Sequence, residues 1–297
     1  MKGAQFKQRL SQGRICCLPG IFDFISLKVA DTLGFDALYM TGYGTVASHM
    51  GLPDAGLATY SDMVGRVQDF CAATATPIVC DGDTGYGGLL NVDHTVRGYE
   101  KAGAAAIQLE DQEFPKKCGH TPGRRVIAIE DMAAKVRVAS EARSQADSLL
   151  IIARTDARTS LGLDEALRRG ERYLRAGADI LFIESPETEE ELATIGRTFA
   201  GVPLVVNNVE GGRTPILPPE QLQEMGFAMA IYPSLGFLAA GHALREAYQS
   251  LQARAAFQAP TSMPTLHDFQ AFSLMMGFQR VWDFDREQAE REAQREA

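Results

Sequence analysis

This 297-residue chain is poor in tryptophan, which occurs once, and has only five cysteines. Five is an odd count, no Cys-x-x-Cys pair occurs, and Cys16 and Cys17 are neighbours inside an apolar run. That argues against a disulfide framework and for reduced thiols in a cytoplasmic setting. Positive charge is also short: 29 Lys and Arg face 38 Asp and Glu, for a formal charge of -9. A nucleic-acid surface is disfavoured by that balance. No apolar run is long enough for a membrane helix, and the N-terminus lacks the apolar core of a signal peptide. Neither GxxxxGK[ST] nor GxGxxG is present, which argues against a phosphate cradle. His49 and His94 lie in separate segments, and no second His or Cys is spaced to join His120, which argues against zinc. What remains, 45% apolar and 23% charged, is the balance of a globular protein with one large or two small domains.

The chain is organised around Cys80-Asp81-Gly82-Asp83-Thr84-Gly85-Tyr86-Gly87-Gly88. The apolar Pro77–Cys80 reads as a buried strand that ends in two aspartates and several glycines. Carboxylates at i and i+2 point the same way, and glycine lets backbone come close. Such a group suits a hard divalent cation, or it is simply a polar strand-to-helix turn.

Amphipathic helices and short apolar strands alternate along the chain. Strands are expected at Ile15–Leu18, Ala37–Met40, Pro77–Cys80, Ala105–Leu109, Leu149–Ala153, Ile180–Ile183, Leu204–Val206 and Ala228–Ile231. Glycines such as Gly34, Gly103, Gly177 and Gly226 follow the helices, where C-caps are expected. Eight such units predict an α/β fold, a (β/α)8 TIM barrel over about 12–235. An open doubly wound sheet is the alternative. Polar residues follow the strands at Thr41, Asp81, Asp83, Glu110, Arg154, Glu184, Asn207 and Ser234, where a barrel builds its active site. Beyond the barrel, Leu235–Ala255 and Met263–Val281 read as apolar helices. Within a single domain 1–297, these additional C-terminal helices (about 236–297) either cap the barrel or form an oligomer contact. The charged tail Asp283–Ala297 reads as a solvated helix end.

A long connection follows Glu110-Asp111-Gln112. It holds Lys116, Lys117, Cys118, Gly119, His120, Arg124 and Arg125 without helical periodicity. Loops of this length in compact domains are often lids. Cationic neighbours favour a thiolate, which makes Cys118 a candidate acid or base, whereas Cys71 and Cys80 read as buried small hydrophobes.

Several motifs carry a resemblance: Tyr39-Met40-Thr41-Gly42-Tyr43-Gly44, Gly51-Leu52-Pro53-Asp54, Asp81–Gly85, Leu109–Gln112, Lys116–His120 and Ala153–Ala157. From about Pro19 to Leu251 the chain resembles the isocitrate lyase/phosphoenolpyruvate mutase superfamily. Lys116-Lys117-Cys118-Gly119-His120 resembles the hallmark of its lyases, and the superfamily's mutases and phosphonopyruvate hydrolases lack that cysteine. Gly82, Pro115 and Glu210-Gly211-Gly212 look most like the 2,3-dimethylmalate lyase and petal death protein branch, with methylisocitrate lyase close by.

The resemblance implies a barrel whose C-terminal helix is swapped between subunits in a dimer of dimers, a homotetramer. It implies one Mg2+ or Mn2+, bound directly by Asp81 and through waters by Asp54, Asp83 and Glu110. Substrate contacts would come from Tyr39, Thr41, Gly42, Tyr43, Asp81, Arg154 and Asn207. Cys118, Arg154, Glu184, Lys117 and His120 would form the catalytic group. The expected reaction is retro-aldol cleavage of a 2-hydroxy dicarboxylate, such as a 2-alkylmalate, to pyruvate and a carboxylic acid. Cys118 would protonate the new carbanion, and Tyr43 or a water on the ion is a candidate hydroxyl base. The alternatives are an oxaloacetate hydrolase or decarboxylase, or a 2-methylisocitrate lyase, on the same metal site. In the hydrolase Ser234 would meet a hydrated 2-oxo group. Otherwise it reads as the N-cap of the next helix. Ile127, Pro215, Ile216 and Phe237 are candidates to line the pocket for the C3 substituent, or are core. A barrel that only binds a metal and a small acid is the non-enzymatic rival.

Overall fold

Short runs of valine, isoleucine, leucine and alanine, each too brief and too apolar for a surface helix, make the strands. The computed structural model describes residues 2–119, 121, 123–256 and 265–296. The strands are β1 (Cys16–Ile21), β2 (Leu38–Met40), β3 (Ile78–Asp81), β4 (Ala106–Glu110), β5 (Leu150–Thr155), β6 (Ile180–Ile183), β7 (Leu204–Asn207) and β8 (Met229–Tyr232). All pairings are parallel, and β1 pairs with β8 (Cys16 opposite Met229), which closes the barrel. The (β/α)8 reading therefore holds and the open sheet falls.

The helices are α1 (Lys2–Leu10), α2 (Phe24–Thr32), α3 (Gly42–Met50), α4 (Tyr60–Ala73), α5 (Leu89–Ala102), α6 (Ile129–Ala142) and α7 (Ala157–Leu161). They continue with α8 (Leu163–Arg175), α9 (Glu189–Thr198), α10 (Pro219–Glu224), α11 (Leu235–Ala255), α12 (Phe269–Met275) and α13 (Phe278–Glu296). Local chemistry sets their ends. Asp23 with Ser26, and Thr59 with Asp62, form reciprocal capping boxes at α2 and α4.

The strands' pleat sorts side chains into two layers. Outward residues such as Ile107, Leu109 and Ile151 join Val67, Phe70, Val96 and Tyr99 of the helices in one core. Inward residues Cys16, Leu18, Val79, Ala106, Ile152, Phe182 and Val205 form a second core, to which α1 adds fully buried Phe6.

By contacts, residues 1–238 form one compact unit and 239–297 another. In the second, α12 and α13 flank Gly277, whose φ of 98° is the left-handed conformation that suits glycine. Of the expected helix over Met263–Val281, residues 263–264 lie outside the described residues and the rest is interrupted, and α13 carries the charged tail. Phe269, Leu274, Phe278, Val281 and Trp282 are exposed on these helices.

Candidate active site

The inward rows of β3, β4, β5 and β7 turn polar at the C-terminal end of the strand. Asp81, Glu110, Arg154 and Asn207 line a cavity of about 300 Å³ at the C-terminal end of the barrel, with Tyr39, Thr41, Tyr43, Asp54, Lys117 and Cys118. Inside, the Tyr39 hydroxyl donates to Gln108 Oε1 (3.1 Å), and Gln108 Nε2 donates to Asp81 Oδ1 (3.4 Å). Asp81 Oδ1 also accepts from the Asp83 amide (3.1 Å). Gly42 opens α3 directly against this group: a Cβ there would lie 2.6 Å from Asp81 Oδ2. Glycine is therefore required for α3 to start this close to the carboxylate. The segment Thr41-Gly42-Tyr43, expected to contact substrate, is thus the start of a helix, whose first amides are without intrahelical partners.

The connection after β4 is docked over this end. Gln112 pairs with the backbone of Lys117 in both directions, at 2.8 and 3.0 Å. Lys116 is buried, bonded to Asp54 and 2.6 Å from Asp83 Oδ1. Burial would lower the Lys116 pKa, but Asp83, Asp54, Glu110 and Asp81 hold it well above the usual lysine range. Burial pushes the Asp83 carboxyl up to about 6, with Lys116 opposing. Burial likewise pushes Glu110 well above its usual range, opposed first by Arg154. The cavity lining sets the carboxyls of Asp54, Asp81, Glu110 and Glu210 against Lys116, Lys117 and Arg154.

Arg154 is the centre of the second half of the site. Its guanidinium reaches Asp156 (2.9 Å twice), Glu184 (3.3 Å) and Glu110 (3.4 Å), and lies over the Phe182 ring at 5.2 Å. Asn207 Nδ2 donates to Glu184 Oε2 (3.0 Å), and Ser185 donates to Glu184 Oε1 (3.2 Å). Gly119 rests on this pair: a Cβ there would lie 2.3 Å from Arg154 Nη2 and 2.9 Å from Glu184 Oε2. Ser185 Oγ is equally close to Gly119 O (3.2 Å), so its one proton is shared between the two acceptors and the backbone next to Cys118 is seated on the barrel rim.

Of the expected site residues, Tyr39, Thr41, Tyr43, Asp54, Asp81, Glu110, Lys117, Cys118, Arg154 and Asn207 share the cavity lining. Asp83, Glu184 and Gly42 stand directly behind it through the contacts above. His120 lies outside the described residues. Phe237 lines the cavity, whereas Ile127 packs against the outer core and Ile216 is exposed, and neither it nor Pro215 is in the lining. Ser234 also lines it and donates to Glu210 Oε2 (2.9 Å), a partner that neither expected role supplied. Gln108, Asp156 and Arg124 were not anticipated. Gln108 and Asp156 stand two residues from Glu110 and Arg154, so the strand period alone points to them.

The carboxylates and hydroxyls here are hard oxygen donors, the set that suits Mg2+ or Mn2+. Glu110 Oε1 is buried without a hydrogen-bond partner, an arrangement that a hydrated cation beside Asp81 would satisfy. Among the described residues no three His, Cys, Asp or Glu side chains are grouped closely enough to hold an ion directly. Asp54 and Asp83 are taken by Lys116. The residues therefore fit an ion held largely through water. No helix among the described residues is long and apolar enough to cross a membrane.

Comparison with known proteins gives this geometry a context. The chain is 44% identical over 286 residues to 2,3-dimethylmalate lyase of Eubacterium barkeri, covering 96% of this chain and 98% of that protein. It is 40% identical over 239 residues to 2-methylisocitrate lyase of Bacillus subtilis (strain 168), covering 80% of this chain and 78% of that one. Among solved structures, oxaloacetate acetylhydrolase in complex with 3,3-difluorooxalacetate superposes with a TM-score of 0.90 at 31% identity, covering 97% of each chain. A crystal structure of 2,3-dimethylmalate lyase gives 0.88 at 32%, covering 96% of this chain and 95% of that one. Phosphonopyruvate hydrolase with oxalate and Mg2+ gives 0.84 at 28%, covering 96% and 98%. Residues 6–252 match the phosphoenolpyruvate phosphomutase family. The chain belongs to that family, within the isocitrate lyase/phosphoenolpyruvate mutase superfamily.

Proposed function

We propose that this protein is a Mg2+-dependent carbon–carbon lyase that cleaves a 2-hydroxy dicarboxylate of the 2-alkylmalate class to a 2-oxo acid and a carboxylic acid. The observation that carries this reading is Cys118-Gly119 seated on Arg154 and Glu184 above an acidic, oxygen-lined cavity. Similarity to 2,3-dimethylmalate lyase over nearly the whole of both chains supports the substrate class. Phosphonopyruvate hydrolase, crystallised with Mg2+, supports the cofactor.

The ion, held by Asp81 and through waters by Asp54, Asp83 and Glu110, would supply Lewis-acid polarisation of the 2-hydroxyl and its carboxylate. The chain's own groups do the rest. The partnerless amides opening α3 cradle the oxygens of the pyruvate-like half. The hydroxyl proton passes to Tyr43 on the cavity wall, the 2-oxo group forms as the C2–C3 bond breaks, and the electron pair moves onto C3 and its carboxylate. Arg154, held fully charged by Asp156, Glu110 and Glu184 against the opposing effect of burial, stabilises that charge. The Cys118 thiol delivers the proton to C3. Lys117 sits on the cavity wall to meet the second carboxylate. Docking of the loop keeps water from the carbanion.

The test is incubation with Mg2+ and a panel of 2,3-dimethylmalate, other 2-alkylmalates, 2-methylisocitrate, isocitrate and oxaloacetate, with products identified by NMR. Pyruvate with a monocarboxylic acid from an alkylmalate supports the reading. Succinate with pyruvate from methylisocitrate moves it to the neighbouring lyases. A second reading, hydrolysis of oxaloacetate, is favoured by the Ser234 hydroxyl on the cavity wall, and oxalate with acetate as the sole products would establish it. Assembly with further copies, by exchange of the C-terminal helices, is part of the proposal and is supported by the apolar side chains exposed there. A cytoplasmic setting is supported by five cysteines without paired spacing.

A further inference from the structure

Asp156 follows β5 directly, and its side chain is fully buried. Two arginines from different parts of the chain share its carboxylate. Arg154 holds both oxygens, Nε on Oδ2 and Nη2 on Oδ1 at 2.9 Å each. Arg124, on the returning limb of the loop that carries Cys118, places Nη1 on the same Oδ1 and Nη2 on Thr159 Oγ1 (2.7 Å). The backbone of Asp156 is fixed in turn. Its amide donates to Asp111 Oδ1 (2.9 Å), and Asp111 Oδ2 accepts from Thr155, Arg169 and Tyr173 at 2.7–2.9 Å. A side chain in this state has no freedom to choose one partner over the other.

We propose that Asp156 is a positioning residue that sets Arg154 and the Cys118 loop with a single carboxylate, so that donor thiol and cationic guanidinium keep one relative placement. Two anchors make this a coupling and not an isolated ion pair. Gly119 lies against Arg154 on one limb of the loop, and Arg124 grips Asp156 on the other. Releasing Arg124 removes the returning limb's hold on Asp156 without touching any group that meets the substrate. Neutralising Asp156 loosens the loop and Arg154 together. The activity half of the test rests on the lyase reading above, and the labelling half does not.

The experiment measures the rate at which iodoacetamide labels Cys118, read by peptide mass spectrometry, with buried Cys80 as an internal control for the fold. It also measures kcat and KM on whichever alkylmalate turns over. Arg124→Gln is expected to speed Cys118 labelling and to lower kcat by roughly 10- to 100-fold while KM changes little. Arg124→Lys, which keeps the charge but loses the fork, recovers part of both. Asp156→Asn shows the same gain in labelling and in addition a raised KM. Thr159→Val, which removes one hydroxyl, gives a smaller gain and serves if the other variants label at Cys80 and are therefore unfolded. Cys118 labelling at the wild-type rate in folded Arg124→Gln, or in Thr159→Val where that variant stands in, would overturn the coupling. Failure of every alkylmalate to turn over, with the labelling gain intact, would overturn the lyase reading and leave the coupling standing.

Discussion

The two ends of the barrel are built from the same strands and do opposite things. Toward the N-terminal end the inward row is Cys16, Leu18, Val79, Ile152, Phe182 and Val205, closed by Phe6 of α1. Two residues further along, the same row reads Asp81, Arg154, Glu184 and Asn207. The first end gains stability from removing apolar surface from water, a term that needs no special direction. The second end buries charges, which cost free energy unless each is paired in good geometry. A change of sign in the energetics thus falls within a single step of the pleat, and function sits on the unfavourable side of it.

The contrast makes the two ends separable by experiment. Chelation with EDTA is expected to take turnover to background and Mg2+ to restore it, with the thermal melting temperature measured alongside to show that the fold persists. Cys118→Ala is expected to lower kcat by about 10²–10⁴-fold while leaving Mg2+ and pyruvate binding, measured by calorimetry, nearly intact. Near-normal turnover would remove the proton-donor role. At the other end, Phe6→Ala should cost about 3–5 kcal/mol in urea unfolding with kcat per folded molecule unchanged. A large fall in kcat there would mean that the floor also shapes the site. Gly119→Ala forces a methyl into Arg154 and Glu184, and is expected to lower kcat by roughly 100-fold with little change in melting temperature. Phe237→Ala, on the cavity wall, should shift the kcat/KM ratio between alkylmalates of different size by roughly tenfold.

The barrel was legible because its strands are apolar, short and evenly punctuated, and because a polar residue stands at the end of every strand but the first. Ile180–Ile183 falls where the alternation of apolar runs puts it. α3 was not, since Gly42-Tyr43-Gly44-Thr45 has poor helix propensity and forms a helix where Gly42 must pack on Asp81. α1 was hidden too, because only tertiary contact shows that Phe6 is buried in the barrel. In the site, the strand-end residues could be named singly. What could not be named were the pairings: Lys116 between Asp54 and Asp83, or Arg124 on Asp156, join positions tens of residues apart that no local pattern relates. Ser234 shows the same limit, as its partner Glu210 comes from the preceding β/α connection.

The Arg154 guanidinium carbon lies over the Phe182 ring while three carboxylates hold its nitrogens. A free arginine side chain carries about 2 kcal/mol of rotamer entropy. Here that disorder is already gone when the barrel forms, so no part of it opposes the chemical step. The ring beneath is apolar and the charges beside it are fixed, so the guanidinium has almost nothing left to reorganise as the substrate's charge migrates. The residue is less a hand that reaches for the substrate than a fixed point around which the substrate must change.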